Sequence, residues 1–483
     1  MRTFLAPAAL ALTLACGGGS SSTTPPAPTG PSYHGPWVVY SRTTSTPAGD
    51  TTTLHALQED GTHDVVLNTF TGLGGSWEGR SGDRFIFSEQ VGQTDTSEAW
   101  RHYSIWMDGT GRKLLSGAST DWTSGTLIVG NRVILERGST GELFTVPADG
   151  SKDPVRFSLP GKYAFPVTTV GGGVLFQQQT DTQGNDLVCY RPADGSAPAI
   201  PLYTRTATAQ ETFRAVIGDR VVYTTSQSIA SVRLDGTDAR TLTTVPRFLM
   251  FQGFAGTLAI YQNFLGPGSE LWAVPVDGSG PALALDTTPD TQSFTGIHGE
   301  AFQGAGRLVY GRISTATPTL GDLYSVPLTG GTPLKLTALT EIEIPFGVRD
   351  GQAYFQITVG GFGSNGDLYR VALDGTGLPQ PLLQTPNLEQ FLGFLDGRLI
   401  FLRRFDDREE LRSATPDGLD DRLLATAPPS LMGRPWACIS QGRVYANTES
   451  APATYVLLSV KADGTEAHTL VTDTQPIDFE DVL

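Results

Sequence analysis

Few residues in this chain of 483 are arranged as catalytic motifs usually are. The Gly-x-Ser-x-Gly pattern of a serine nucleophile does not occur, and neither does the His-Glu-x-x-His pattern of a zinc hydrolase. No cysteine pair has the spacing of metal ligands, and Gly171 to Gly173 leads into a strand pattern rather than into a phosphate-binding helix. The motifs therefore predict no catalytic residue, no metal site and no cofactor. They leave open an active site assembled from distant segments, as in a lyase or hydrolase.

One short stretch concentrates charge in a chain in which only 17% of residues are charged. Residues 403–410 read Arg-Arg-Phe-Asp-Asp-Arg-Glu-Glu. This stretch is either the solvated tip of a hairpin or part of a binding surface. Two glycine-rich loops elsewhere each carry a phenylalanine, an apolar residue suited to contact a partner. We therefore take five residues as candidates for partner binding: Arg403, Arg404, Phe405, Phe264 and Phe362.

The overall charge restricts the possible partners. With 33 Lys and Arg against 49 Asp and Glu, the formal net charge is −16. Non-specific binding to nucleic acids or to anionic lipids requires a basic surface, so we predict neither. The hydrophobic share of 39% is enough for a large core, which excludes a chain that is disordered over most of its length.

The first 35 residues have the composition of an export signal followed by a tether. Arg2 precedes an apolar run of 12 residues, Phe4 to Ala15, which is shorter than the span of about 20 residues that a membrane helix needs. Residues 1–16 resemble a bacterial lipoprotein signal, in which a small residue precedes the acylated cysteine, here Cys16. An ordinary signal peptide cut after Ala15 is the alternative. Residues 17–35 are rich in Gly, Ser and Pro, which predicts a flexible tether.

The lipoprotein resemblance also implies a location. Acyl chains on Cys16 would anchor the protein to a membrane. In enterobacterial sorting, a residue other than Asp after the acylated cysteine directs a lipoprotein to the outer membrane, and Gly17 stands there. The resemblance thus implies a lipid-anchored protein of the cell envelope, at the outer membrane, facing either the periplasm or the surface. Cys189 and Cys438 lie in apolar strand patterns and are predicted to be small buried residues, with a disulfide between them as the alternative.

A short motif repeats ten times along the remaining chain, at intervals of about 45 residues. Each copy alternates apolar and polar residues and then reads Asp-Gly, as in Leu271 to Ser279 (LWAVPVDGS). The alternation predicts a half-buried strand, and Asp-Gly predicts a tight hairpin turn in which both residues accept positive φ angles. Two further strands precede each copy, the first with an aromatic residue and the second opened by a turn that contains glycine. The aspartates of the motif are Asp60, Asp108, Asp149, Asp194, Asp235, Asp277, Asp374, Asp417 and Asp463, with Thr329 in the seventh copy.

Four antiparallel strands in about 45 residues are the size of one blade of a β-propeller. Residues 36–483 are therefore predicted to form an all-β propeller of about ten four-stranded blades in one ring. Residues 37–40 match a second strand and residues 476–479 match a first strand, so the C-terminal strand can close the ring. Two smaller propellers are the alternative. The first-strand aromatic residues are expected to pack between blades: Trp77, Trp122, Phe165, Phe213, Phe251, Phe346, Phe391 and Trp436.

The repeated order of strand, Asp-Gly-Thr/Ser and strand resembles TolB-type and YWTD-like (WD40-like) propeller repeats over nearly all of residues 36–483. This resemblance implies a fold rather than an activity. What differs between the repeats is the segment between the second and third strands, and variable loops on a rigid scaffold are where binding usually occurs. These segments are residues 90–98, 177–185, 262–269, 314–321, 359–366 and 403–410.

The sequence therefore predicts a membrane-tethered, exported propeller that acts as an interaction module for an unknown envelope protein or peptide. One alternative is a carbohydrate or small-ligand binding protein that uses aromatic residues at the channel mouth. Another is a propeller enzyme, a lyase or hydrolase with its active site in the channel. Polar side chains that converge in the channel would favour the enzyme, whereas a bare or polar channel with an apolar loop face would favour a binder.

Overall fold

The computed structural model describes residues 36–482, with gaps at 47–48, 72–73, 94–97, 118–120, 182, 210, 265–267, 289–290, 294–302, 314–320, 340–341, 359–365, 384, 386, 428–436, 452–453 and 476. The described part of the chain contains strands and turns but no α-helix. No helix in it could therefore cross a membrane. The strands form ten four-stranded blades arranged in a ring, so the chain folds as a ten-bladed β-propeller, as the sequence predicts.

The first five blades follow the repeats of the sequence in order. Within each blade the strands are given from first to fourth. Blade one is β41 (Ile477–Val482), β1 (Trp37–Thr46), β2 (Gly49–Gln58) and β3 (Val65–Thr71); blade two is β4 (Gly75–Ser81), β5 (Arg84–Gln93), β6 (Glu98–Trp106) and β7 (Lys113–Leu114); blade three is β8 (Trp122–Val129), β9 (Arg132–Arg137), β10 (Leu143–Pro147) and β11 (Val155–Arg156); blade four is β12 (Ala164–Val170), β13 (Gly173–Gln179), β14 (Asp186–Pro192) and β15 (Ile200–Arg205); blade five is β16 (Thr212–Ile217), β17 (Arg220–Thr224), β18 (Ser228–Arg233) and β19 (Arg240–Thr244).

The other five blades continue the same pattern, except that the first strand of blade seven is divided into two short pieces. Blade six is β20 (Phe248–Ala255), β21 (Leu258–Phe264), β22 (Ser269–Pro275) and β23 (Leu283–Asp286); blade seven is β24 (Thr291–Ser293) with β25 (Gln303–Gly304), then β26 (Arg307–Ile313), β27 (Gly321–Pro327) and β28 (Leu334–Lys335); blade eight is β29 (Ile342–Arg349), β30 (Gln352–Thr358), β31 (Leu368–Ala372) and β32 (Gln380–Leu383); blade nine is β33 (Leu388–Leu395), β34 (Arg398–Arg404), β35 (Glu409–Ala414) and β36 (Arg422–Ala427); blade ten is β37 (Ala437–Ser440), β38 (Arg443–Ala451), β39 (Thr454–Val460) and β40 (His468–Asp473).

The two ends of the described chain meet in blade one. The C-terminal strand β41 pairs antiparallel with β1, with Tyr40 opposite Phe479 and Arg42 opposite Ile477. Blade one is therefore completed by strands from opposite ends of the sequence, which removes the open edge that β1 would otherwise expose. This pairing closes one ring of ten blades, and the alternative of two smaller propellers is excluded.

The first strands line the axis of the ring, and the core lies between blades. First strands of successive blades contact one another, as β4 with β8 and β33 with β37. Between blades eight and nine, Tyr354 packs with Leu399 and Phe401, and the rings of Phe346 and Phe391 stack with centroids 4.1 Å apart. The predicted packing of first-strand aromatic residues between blades therefore holds at this interface. Phe165 differs, because it lies at the open end of β12 and is exposed, and Trp436 lies outside the described residues.

The Asp-Gly turns differ in one detail from the prediction. At Asp235-Gly236 the glycine amide donates to the carbonyl of Arg233 (2.9 Å), and only the glycine has a positive φ, of 78°. Asp235 instead accepts hydrogen bonds from the amide (2.9 Å) and hydroxyl (2.6 Å) of Thr237. The turn is thus a type I turn followed by a glycine bulge, in which the aspartate caps the backbone.

A polar contact that we call the clasp recurs at the start of the second strand in blades two, five, seven, nine and ten. The buried Arg220 donates from Nε to Ser231 Oγ (3.0 Å), and Ser231 Oγ donates to the carbonyl of Val276 in the next blade (2.7 Å). The clasp thus joins two strands of one blade to the Asp-Gly turn of the next. The same arginine–serine pair occurs as Arg84 with Ser104, Arg307 with Ser325, Arg398 with Ser413 and Arg443 with Ser459.

Candidate functional site

The connections between strands divide between two faces of the ring, because neighbouring strands within a blade are antiparallel. The turn face carries the turns from first to second strands and the Asp-Gly turns. The loop face carries the hairpins between second and third strands and the connections between blades. The described parts of the segments predicted to bind a partner therefore belong to the loop face.

Three consecutive blades have longer second strands than the other blades, and these strands extend toward the loop face. The second strand has 10 residues in blades one and two and 9 residues in blade ten. It has 5 to 7 residues in the other blades. Three extra residues lengthen a hairpin by about 10 Å. We call the loop-face ends of the hairpins β38–β39, β1–β2 and β5–β6 the ridge.

In blade one the ridge carries hydroxyl side chains and is held at its base by an ion pair to blade ten. In blade one, Thr43 and Thr52 face each other across the hairpin with their hydroxyl oxygens 2.9 Å apart. Below them, Arg42 pairs with Asp473 of blade ten (3.1 Å). The predicted loop from residue 90 to 98 is shorter than expected, because β5 continues to Gln93 and β6 begins at Glu98.

The charged stretch 403–410 forms a compact hairpin in blade nine. Glu409 is the most enclosed of its charged residues, and Arg403, whose side chain is only 9% exposed, pairs with Glu389 (3.0 Å) and Asp421 (3.0 Å). Arg404 pairs with Glu409 (2.6 Å) at the end of the hairpin. Most of the charge of this stretch is therefore neutralised within blade nine. At the tip of the hairpin, Asp406 and Asp407 are exposed, and Asp407 pairs with Arg408 (3.1 Å).

The remaining candidates are dispersed. Phe405 lies at the tip of the blade-nine hairpin, where the guanidinium of Arg408 stacks 4.0 Å from its ring centroid. Phe264 lies in blade six, so the structure brings Arg403, Arg404 and Phe405 together but not Phe264. Phe362 and Cys16 lie outside the described residues.

Apolar side chains are exposed on the loop face of blades four and six. Phe248 and Met250 begin the first strand of blade six and are 49% and 45% exposed. Phe264 ends the second strand of the same blade, with its ring centroid 5.8 Å from that of Phe248. Tyr163 and Phe165 occupy the matching end of blade four, with ring centroids 6.3 Å apart. Because first strands line the axis, we call these five residues the apolar mouth.

Of the apolar mouth, the sequence predicts only Phe264 as a partner contact, and it places Phe165 between blades. The sequence feature that could have identified the apolar mouth is the pair Phe248 and Met250, two apolar residues on one side of a first strand. In a first strand, both sides are usually covered by neighbouring blades. Only the packing of the ring shows that this side remains open.

Glu343 and Glu389 occupy matching positions in the first strands of blades eight and nine. Both are buried, and both are hydrogen-bonded to other residues of the protein. Glu343 accepts hydrogen bonds from the amide of Leu323 (2.9 Å) and from the hydroxyl of Thr337. Glu389 accepts from Thr385 Oγ1 (2.6 Å) as well as from Arg403. Burial raises the pKa of Glu343 to about 7 and also raises the pKa of Glu389. Each carboxylate thus fastens the connection that enters its blade.

Glu78 provides a third carboxylate with a raised pKa, half-buried between blades two and three. It accepts hydrogen bonds from Ser88 Oγ (2.6 Å) and from Thr126 Oγ1 of the next blade (3.2 Å). Burial raises the pKa of Glu78 to about 7. Among the described residues, no three His, Cys, Asp or Glu side chains are grouped so that they could hold a metal ion. The buried carboxylates lie in separate blades and each has a local structural contact.

Cys189 and Cys438 lie in blades four and ten and are not joined by a disulfide. Cys189 is buried in the core of blade four, and burial raises the pKa of its thiol to about 11. Cys438 is half-buried and packs against the cluster that contains Tyr445. The predicted packing role holds for Cys189, and Cys438 is less enclosed than expected.

Comparisons with known proteins find only distant structural similarity. No known family profile and no curated protein matches the chain. A protein of Agrobacterium tumefaciens assigned as TolB is 15% identical, with a TM-score of 0.29, over 48% of this chain and 85% of that one. A prolyl endopeptidase is 9% identical (TM-score 0.39; 66% and 50%), so this chain spans about half of that protein. An oligogalacturonate lyase bound to manganese is 14% identical (TM-score 0.34; 71% and 86%). At these identities and TM-scores, the similarities carry no argument about activity.

Proposed function

We propose that this protein is exported, anchored to the outer membrane through a lipid on Cys16, and binds a protein or peptide of the cell envelope through its loop face. The apolar mouth is the observation that carries this proposal. Exposed, adjacent apolar side chains on a protein surface mark interaction sites. Aromatic residues and methionine are also enriched at protein interfaces.

The surroundings of the apolar mouth favour a protein partner over a sugar. Phe248, Met250 and Phe264 have no polar atoms at their tips other than a thioether. A sugar-binding site needs hydrogen-bonding groups beside its aromatic rings, whereas an apolar segment of a protein does not. Across the ring, the ridge offers hydroxyl groups for a polar rim, as interfaces usually have around an apolar centre.

The entry point of the chain is compatible with an anchored protein. The strand β1 begins at Trp37, which pairs with Gln58 beside the first Asp-Gly turn. The chain therefore enters the ring on the turn face. An anchor upstream of Trp37 would leave the loop face free for a partner.

Substitution of the apolar mouth tests the binding proposal. The double variant F248S/M250S should lose at least about tenfold of its affinity for a partner captured by the wild-type protein from detergent-solubilised envelopes, because interface anchors dominate affinity. V155S is the matched control, since Val155 is also apolar and exposed but lies on the outer strand of blade three. Both variants should keep the wild-type melting temperature to within a few degrees, because exposed substitutions usually cost less than about 0.5 kcal/mol. Equal capture by the double variant and the wild-type protein would contradict the assignment of the loop face.

Substitution of Cys16 tests the anchor separately. Cys16→Ala should convert a membrane-bound protein into an exported protein without membrane attachment, because the acyl chains would be lost. Phase partition with a detergent measures this change, with Cys438→Ala as the control that retains Cys16. If the Cys16→Ala protein still partitions with the membrane, the lipid anchor is wrong.

A further inference from the structure

Blade eight departs from the clasp that joins other blades at the turn face. At the start of its second strand, Gln352 stands where other blades have arginine. In its third strand, Arg370 stands where they have serine, since Arg370 lies opposite Tyr354 as Ser231 lies opposite Val222. Both residues of the clasp are therefore replaced in the same blade.

Arg370 takes over one contact of the missing serine from a greater distance. Its Nη1 donates to the carbonyl of Pro416 (3.1 Å), which precedes Asp417 as Val276 precedes Asp277. The arginine side chain is long enough to reach this carbonyl across a gap. A serine at the same position bonds to the carbonyl of the next blade only when the two backbones lie close together. A cavity of about 510 Å³ lies at this place, between blades eight and nine, and opens on the turn face.

Other blades without the clasp show how the same space is usually filled. In blade four, glycine replaces the arginine at Gly173, and tyrosine replaces the serine at Tyr190. A Cβ added at Gly173 would lie 2.5 Å from the Tyr190 ring, so the aromatic ring occupies the position. Blade one places the buried Trp37 at the start of its second strand. In blade eight, Gln352 and Arg370 occupy these two positions without filling the space, and the cavity results.

The cavity is lined both by a cationic side chain, Arg370, and by apolar side chains. Arg370 hydrogen-bonds the hydroxyl of Tyr354 but belongs to none of the ion pairs among the described residues, whereas Asp350 at the rim pairs with Arg349 (3.3 Å). Leu378, which also lines the cavity, is 79% exposed, and the ring of Pro416 lies beside it. A planar guanidinium binds a carboxylate through two parallel hydrogen bonds. The volume lies within the range of about 300–1,000 Å³ that small-molecule sites occupy.

We propose that the cavity between blades eight and nine binds a small carboxylate that carries an apolar group. The carboxylate contacts Arg370, and the apolar group lies against Leu378 and Pro416. This site is on the face opposite to the proposed protein-binding surface. It therefore adds a small-molecule ligand to the protein and does not depend on the loop-face proposal.

Titration with 3-phenylpropionate, followed by calorimetry, tests the site. The wild-type protein should bind this probe with a Kd of about 1 mM or lower, and the uncharged 3-phenylpropionamide at least about tenfold more weakly. Arg370→Gln should lose at least about tenfold in affinity for the carboxylate. Arg233→Gln removes an arginine from the turn face of blade five that does not line the cavity, so its affinity should match that of the wild-type protein.

A second variant restores the repeat and separates binding from folding. Q352R/R370S recreates the arginine–serine pair of the clasp, so it should close the cavity, abolish binding of 3-phenylpropionate and keep or raise the melting temperature. Equal binding of the acid and its amide, unchanged affinity of Arg370→Gln, or no binding of the acid to the wild-type protein would each overturn the proposal. Capture of an envelope partner by Arg370→Gln should be unaffected, which distinguishes a failure of this site from a failure of the loop face.

Discussion

At the scale of single residues, the protein uses carboxylates in two opposite ways. Asp235 lies on the surface of a turn, and the hydrogen bonds from Thr237 lower its pKa. Glu343 lies between blades, and burial raises its pKa to about 7. The sequence predicts the first use, because Asp before Gly has a local turn chemistry. It does not predict the second, because the burial of Glu343 depends on contacts with Leu323 and Thr337 of the preceding blade.

The raised pKa of Glu343 predicts a pH dependence of stability. The folded protein holds this proton up to about pH 7, whereas the unfolded chain releases it near pH 4.5. The free energy of unfolding should therefore fall as the pH rises from 4.5 to 7, at about 1.4 kcal/mol per unit of pKa difference. Glu343→Gln should be more stable relative to the wild-type protein at pH 8 than at pH 5, as measured by chemical denaturation. Glu78→Gln should show the same trend for the same reason, and parallel pH profiles of variant and wild-type stability would contradict it.

At the scale of elements, the strands with apolar alternation are predicted well and the strands without it are not. The pattern before Asp277 identifies β22 and the turn that follows it, because one side of that strand is buried. The ridge has no such signal, since hairpin ends that stand above the ring have no core to face. Residues 90–93 therefore look like a loop in the sequence although they continue β5.

The clasp shows a pattern that the sequence contains but that the repeat motif alone does not reveal. Ser231 lies four residues before the turn aspartate Asp235, and Arg220 directly follows the turn before its strand. Both positions are visible in the sequence, yet their contact depends on the register of β17 against β18. Blade eight illustrates the consequence, because only the comparison of registers shows that Gln352 and Arg370 replace the two partners together.

At the scale of the whole molecule, the number of blades and the closure of the ring could be predicted, whereas the binding surfaces could not. Ten copies of one motif determine ten blades when each copy is one four-stranded unit. The choice of one ring over two follows from the pairing of β41 with β1. The apolar mouth and the cavity of blade eight arise instead where packing is incomplete, and no repeat pattern records which side of a strand its neighbours leave uncovered.

The closure of the ring gives the last prediction. Deletion of residues 475–483 removes β41, including the buried Ile477 and the ring of Phe479 that stacks on Tyr445 with centroids 6.1 Å apart. Burial of two such side chains stabilises a protein by roughly 3 kcal/mol or more, and their loss also exposes the edge of β1. This deletion should lower the melting temperature by several degrees and promote association between exposed edges, as measured by differential scanning calorimetry and light scattering. Deletion of residues 17–35, which are predicted to be a tether, should leave the melting temperature of the ring unchanged. Equal melting temperatures for the two deletions would show that β41 does not hold the ring closed in solution.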